Sequence, residues 1–282
     1  MKLAQALEEA RQKLAQAKVP SPDADAHWLL AHAISSNRAE VLRRITLLED
    51  LSQTEQDLFY ASLNRRVKRE PLQHITGKAA FRNLELLVGP GVFIPRFETE
   101  QVAQIGIDFL KSLSSTANAA DLGTGSGAIA ISLALETSAE VVAIEVSNDA
   151  AKYARENIQR FAPHVQLIVG SFEQSLLNLT ELDLIISNPP YIPRAAVPIE
   201  PEVYKFDPEV ALYSGEDGLD SIREIVAIST FALRPEGMLV LEHADGQSDQ
   251  VCELLLEQGF TSVTAHPDPT GRLRAVSGIR RA

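Results

Sequence analysis

Apolar positions along this chain follow two different periods, and the change from one to the other divides it. From Leu3 to about Arg69 they recur at three- and four-residue steps, as in Leu3, Leu7, Ala10 and Leu14 and again in Leu51, Leu58, Ala61, Leu63 and Val67. That is the repeat of helices with one buried face. Pro20-Ser21-Pro22-Asp23 separates the first helix from a second that carries Trp28, Leu29, Leu30 and Ile34, and Pro71 stops the last. Strand-like runs are missing here, so a small helical bundle is predicted over 1–75. Leu84, Leu86 and Val88, then Val92, Phe93 and Ile94 across Gly89-Pro90-Gly91, predict a β-hairpin linker within 76–95. Thr99 to Leu110 reads as a helix leading into a second domain over 96–282.

Beyond residue 117 short apolar runs alternate with helical stretches. Predicted strands are 119–122, 141–144, 165–169, 182–187 and 238–241, with a terminal pair near 262–265 and 273–279. Between them lie helices at 128–135, 149–161, 219–233 and 248–258. This alternation predicts an α/β domain with a doubly wound, mostly parallel sheet that binds ligands at the carboxyl ends of its strands.

The length, 282 residues, agrees with two domains of unequal size. A balance of 26 basic against 38 acidic residues gives a net charge of −12, which repels a phosphate backbone, so direct nucleic-acid binding is not expected. Cys252 is the single cysteine; it cannot form an intrachain disulfide and looks like a core residue. His27 and His32 are five apart, off the same helical face, and no metal site is expected. With neither a signal-peptide run nor a stretch able to span a bilayer, a soluble cytoplasmic protein is expected, working as a monomer.

Asp121-Leu122-Gly123-Thr124-Gly125-Ser126-Gly127 follows the first predicted strand and opens a helix, the context that a nucleotide-binding glycine loop requires. Glycines let the backbone approach a ligand, and the helix N-terminus offers free N–H groups. Glu145 ends the next strand, where an acid can accept both hydroxyls of an adenosine ribose. Gly123, Gly125 and Ala128 also satisfy the looser dinucleotide fingerprint of nicotinamide enzymes. Asp121 weighs against that alternative: its carboxylate repels a pyrophosphate but suits the ammonium of S-adenosylmethionine, directly or through water. Phe172, after the third strand, either stacks on an adenine or joins the core.

Asn188-Pro189-Pro190-Tyr191 emerges from the predicted strand 182–187. Pro189 holds Asn188 extended, and successive prolines fix φ near −65°. The Asn188 side-chain oxygen and the Pro189 carbonyl can converge as two acceptors for a planar –NH2 group, with Tyr191 covering its flat face. Four specified residues arise by chance in about one chain in a thousand of this length. An amide nitrogen is a poor nucleophile. Holding both its N–H bonds aims it at a methyl donor and stabilises the charge that develops on it.

Together these two motifs resemble S-adenosylmethionine-dependent methyltransferases of amide or exocyclic amine nitrogen. The stretches 71–77, 93–100, 207–208 and 215–219, with Leu241-Glu242-His243 and the closing Asp268, Gly271, Arg272 and Arg274, narrow this to a resemblance, over the whole chain, to bacterial peptide chain release factor glutamine methyltransferases. The resemblance implies a helical domain that recognises the release factor, a hairpin linker and a seven-stranded Rossmann-like methyltransferase domain. The implied reaction methylates the glutamine of the Gly-Gly-Gln motif in class I release factors, leaves S-adenosyl-L-homocysteine and modulates translation termination. By matching position, Asp121, Gly123, Thr124, Gly125, Ser126, Gly127, Glu145, Phe172 and Asn188 would bind the cofactor. Asn188, Pro189, Pro190 and Tyr191 would bind the glutamine, with Asn188, Pro189 and Tyr191 as the catalytic group.

Departures from the family pattern are Phe97 for a usual proline, Glu145 for aspartate, Phe172 for tryptophan and Glu236 where a second glycine often precedes Gly237. His74 reads as packed rather than catalytic, the Arg65–Arg69 run as a solvated helix end, and Glu98 and Glu100 as favouring a helix start. The rival activities are glutamine methylation of a ribosomal protein, adenine methylation of nucleic acid, which needs a similar claw, and binding without turnover.

Overall fold

Leu3, Ala6, Ala10 and Leu14 form the buried face of α1 (Leu3–Gln16). They pack with Leu29 and Leu30 of α2 (Pro22–Ala33) and with Phe59 and Leu63 of α4 (Gln53–Val67). Local chemistry sets the helix ends. The Asn37 side chain caps α3 (Arg38–Thr46), and a reciprocal Ser52/Glu55 capping box starts α4. The short α5 (Leu72–Thr76) stops at Gly77, whose φ is +76°. The computed structural model describes residues 1–176 and 179–281. It divides into two units: Met1–Lys78 with Pro198–Phe206, and Ala79–Val197 with Asp207–Ala282.

The first unit is helical, and includes the short helix Pro201–Phe206, α10 in chain order. Here the expectation of a solvated basic run is corrected. Arg66 is buried, with Nε 2.7 Å from Asp25 and Nη1 2.8 Å from Glu202. Arg69 pairs with the same Glu202 at 2.6 Å, and Arg65 with Glu70. Arg66 and Arg69 turn inward because a carboxylate waits for each, that of Glu202 lying 136 residues from Arg66 in sequence, while Arg65 and Lys68 stay exposed as expected. His74 is buried beside this network, as a packed residue should be.

β1 (Lys78–Phe81) and β2 (Leu84–Leu87) form the hairpin, which from Ala79 on belongs to the second unit. It turns at Arg82-Asn83, not at Gly89-Pro90-Gly91. Two anchors explain the difference. Arg82 donates to Glu100, Gln104 and Glu136, which holds the turn. The Asn157 amide caps the Leu87 backbone N–H and C=O at 2.8 and 2.9 Å, so pairing ends there. Val92 and Ile94 are buried outside any strand.

A sheet of seven strands follows: β3 (Asn118–Leu122), β4 (Glu140–Glu145), β5 (Gln166–Val169), β6 (Leu182–Ser187), β7 (Leu233–Glu242), β8 (Phe260–Pro267) and β9 (Leu273–Arg280). Their order is β5-β4-β3-β6-β7-β9-β8, all parallel except β9, which runs antiparallel to β7 and β8. Leu184 and Ile186 of β6 face α6 (Thr99–Ser112), α7 (Ala128–Glu136) and α8 (Asn148–Phe161). Ile185 faces the other layer, with α9 (Phe172–Leu176), α11 (Asp220–Ala232) and α12 (Ser248–Glu257). Burial on both faces is why the central strands read as mostly apolar runs and not as alternating ones. Connections diverge to either side of β3, which leaves a crevice beyond the carboxyl ends of β3, β4 and β6.

Strand β7 starts earlier than the predicted 238–241, because the backbone bulges between Leu233 and Met238 where it pairs with β6. Glu236 takes φ +64° in that bulge, and a Cβ on Gly237 would stand 2.9 Å from both the Arg234 and Leu182 carbonyls. The glutamate thus occupies a left-handed position that glycine adopts without strain.

Candidate active site

Gly123, Gly125 and Gly127 all have φ between +59° and +87°, so the loop after β3 follows a path open to glycine. The N–H groups of Gly123 and Thr124 both donate to the Ile144 carbonyl at 2.9 Å, which ties the loop to β4. Asp121, fully buried, accepts from the Thr124 hydroxyl at 2.6 Å and from the Ala130 N–H at 3.0 Å, both at Oδ2. Its Oδ1 is buried without a hydrogen-bond partner among the described residues. Burial pushes this carboxyl up to about 7. Glu145 splits its oxygens, accepting from the Gly125 N–H and the Ser147 N–H at 2.8 Å each. Burial raises it too, although those N–H groups oppose the rise. Thr124 and Ser126 are buried, and the Phe172 ring stands over the loop, 3.7 Å from where a Cβ on Gly123 would lie.

Asn188 leaves β6 beside this loop, where the Ser187 hydroxyl donates 2.6 Å to the Leu122 carbonyl and so locks β6 to β3. The Asn188 Nδ2 donates 3.1 Å to the hydroxyl of Thr99, the first residue of α6. Pro189 is buried and Pro190 half-buried. The Tyr191 hydroxyl lies 3.4 Å from Oε1 of Glu242, at the end of β7, and its carbonyl accepts from Gln247 Nε2 at 3.1 Å. Burial, then the Glu242 charge, raise the Tyr191 phenol, so it stays neutral. Just beyond, Ile192 exchanges hydrogen bonds with Leu212 and Ser214. A Cβ on Gly218 would stand 2.3 Å from the Tyr191 carbonyl oxygen.

Glu242 is 2% exposed and its Oε2 has no hydrogen-bond partner among the described residues. Burial pushes it up to about 7, while a hydrogen bond from Thr99 and the charge of Arg274 draw it down. Thus Thr99, Glu242, Gln247 and Gly218 surround the Asn188–Tyr191 turn. Thr99, Glu242 and Gly218 fall within stretches that suggested the resemblance, but no spacing rule marked them for this place.

Residues 5–77 match the family described as the PrmC N-terminal domain, and residues 83–200 the Methyltransferase small domain. A protein of Streptomyces coelicolor named "Release factor glutamine methyltransferase" is 43% identical over 272 residues, 94% of each chain. The chain belongs to the release factor glutamine methyltransferase family. A second member, from Mycolicibacterium smegmatis, is 40% identical and covers 100% of this chain and 99% of its own. The crystal structure of a methyltransferase from Pyrococcus furiosus superposes with a TM-score of 0.54 at 20% identity, covering 78% of this chain and 99% of that one, a likeness of fold. As a methyltransferase of this family, the chain brings its two sequence motifs together at one edge of the sheet. No helix among the described residues is long and apolar enough to cross a membrane.

Proposed function

We propose that this chain methylates the side-chain amide nitrogen of the glutamine in the Gly-Gly-Gln motif of class I peptide chain release factors, with S-adenosylmethionine as donor. One observation carries the reading: the Asn188 Nδ2 is committed to Thr99, which turns Oδ1 away from it as a free acceptor for a substrate N–H. A primary amide matches that acceptor.

The loop residues fit the donor. Asp121 Oδ1, buried and unpartnered beside glycines in left-handed conformation, is a natural counter-charge for an ammonium, reached directly or through water. Glu145 keeps lone pairs on both oxygens after its two backbone bonds, enough for two ribose hydroxyls. Phe172, with Val146 half-exposed just past Glu145, offers apolar surface to an adenine. The bound donor supplies an electrophilic methyl on a sulfonium centre.

Asn188 and Pro189 orient the amide nitrogen and stabilise its developing positive charge, and Tyr191 closes one flat side. The nitrogen sheds its proton after transfer, so no strong base is demanded. This reading places the reaction in the cytoplasm, where the helical unit engages the release factor.

The test is to incubate the chain with labelled S-adenosylmethionine and purified release factors, ribosomal proteins or DNA. One labelled glutamine per release factor is expected, and Asn188→Ala should abolish it while product binding persists. Label appearing only in a ribosomal protein or in DNA overturns the assignment.

A further inference from the structure

Two prolines stiffen the claw but do not close it. A residue that precedes proline is pushed into an extended conformation, so Asn188 and Pro189 are both settled by the chain itself. Pro190 precedes Tyr191 instead. Its ring fixes φ and leaves ψ two open wells, helical and extended, and the choice between them swings Tyr191 toward or away from the amide that Asn188 holds. A group outside the tetrapeptide must make that choice.

The amino end of the claw is held by the Ser187 bond to Leu122 and by Thr99 on Asn188. At the carboxyl end stands Gln247, the residue before α12, only 7% exposed. Its Oε1 accepts from the Ala244 N–H at 2.9 Å, and its Nε2 donates to two carbonyls, that of Tyr191 at 3.1 Å and that of Asp217 at 3.3 Å. The amide has one stable orientation here. Turned over, it would set NH2 against an N–H and oxygen against two carbonyls. The peptide plane that carries the Tyr191 carbonyl is gripped on its other side as well, where the Ile192 N–H donates 2.8 Å to the Leu212 carbonyl. One bond would let that plane pivot; two opposed bonds set it.

We infer that Gln247 is a positioning residue for methyl transfer: by gripping the Tyr191 carbonyl it selects the Pro190 conformation that lays the Tyr191 ring along the substrate amide. The inference rests on the glutamine-methylation reading above. With both amide protons spent on backbone, Gln247 has none to give to substrate or donor, and it acts on the reaction through Tyr191.

Kinetics of Q247M and Q247E on a release factor, with calorimetric binding of S-adenosylhomocysteine as a separate readout, test this. Q247M fills similar space without donors. Its kcat should fall about 100-fold, as a displacement near 1 Å costs, while KM for the release factor and the affinity and stoichiometry of product binding stay at the parent values. Q247E keeps the acceptor for Ala244, but as a carboxylate it turns its second oxygen on two carbonyls; protonated, it regains one donor. Its rate relative to the parent should therefore be lowest at pH 8 and climb about tenfold by pH 6, since a buried carboxyl facing carbonyls holds its proton more firmly than an exposed one. The inference falls if Q247M turns over like the parent, if its loss of kcat merely matches a loss of product-binding sites, or if the Q247E ratio is flat in pH. A parent without glutamine transfer overturns the underlying reading together with it; an active parent with an unaffected Q247M overturns this inference alone.

Discussion

Replacing Gly218 by alanine should disable methyl transfer by displacing Tyr191, although Gly218 itself offers no side chain to substrate or donor. Gly218 sits at φ +84°, and an added Cβ would lie 2.3 Å from the Tyr191 carbonyl oxygen and 2.9 Å from Gln247 Nε2. Ordinary contact needs about 3.5 Å, so the Tyr191 main chain or the 218 turn must move by about 1 Å. Gly259→Ala supplies the control, since its φ is +83° and nothing lies within 4 Å of the new Cβ. Both variants bear the left-handed strain of about 1–2 kcal/mol, and only Gly218→Ala adds the clash, for a total of about 3 kcal/mol. Urea unfolding measures those losses. Labelled-methyl transfer measures the rest: a displacement near 1 Å should lower kcat about 100-fold in Gly218→Ala and leave Gly259→Ala at the parent rate. S-adenosylhomocysteine should bind both normally. Equal turnover by the two variants would refute the claim that the position of Tyr191 limits the reaction.

Glu236→Gly should stabilise the protein by about 0.5–1 kcal/mol in urea melts, since relief at φ +64° exceeds the added freedom of the unfolded chain; a loss of stability would show that Glu236 makes a compensating contact. Arg66→Met should cost about 3 kcal/mol by stranding buried Asp25, since Glu202 keeps its pairing with Arg69, and an unchanged unfolding midpoint would contradict this. For Asp121, raised from 3.8 to about 7, the protonated form is favoured by folding. The associated stability is complete below about pH 4 and is lost as pH rises through 7, up to about 4 kcal/mol. Asp121→Asn should therefore gain on the parent, in ligand-free protein, as pH goes from 5 to 8; parallel pH profiles would exclude such burial.

The α/β architecture was legible because both layers of helices make β3, β4 and β6 mostly apolar, with their acids near the strand ends, and because the glycine loop follows a strand. The claw was legible because prolines restrict its backbone whatever surrounds it. Thr99, Glu242 and Gln247 were not. They reach Asn188 or Tyr191 across 89, 51 and 56 residues, distances over which no periodicity speaks. The Arg65–Arg69 run misled for the same reason, since its decisive partner, Glu202, lies far along the chain. The hairpin turn moved to Arg82 because side chains of two later helices anchor it. Glycines alone would have placed it elsewhere.

The membership of Glu202 in the helical unit also sets an order of events during synthesis. When the first 78 residues have left the ribosome, Arg66 and Arg69 have only part of their final counter-charge, and the segment that completes it lies more than a hundred codons downstream. At ~5–20 residues per second the unit waits on the order of ten seconds for its last helix. The amino-terminal unit is thus begun first but completed only once residue 206 has been made, and a fragment ending at residue 78 should behave as a nascent chain caught in that interval.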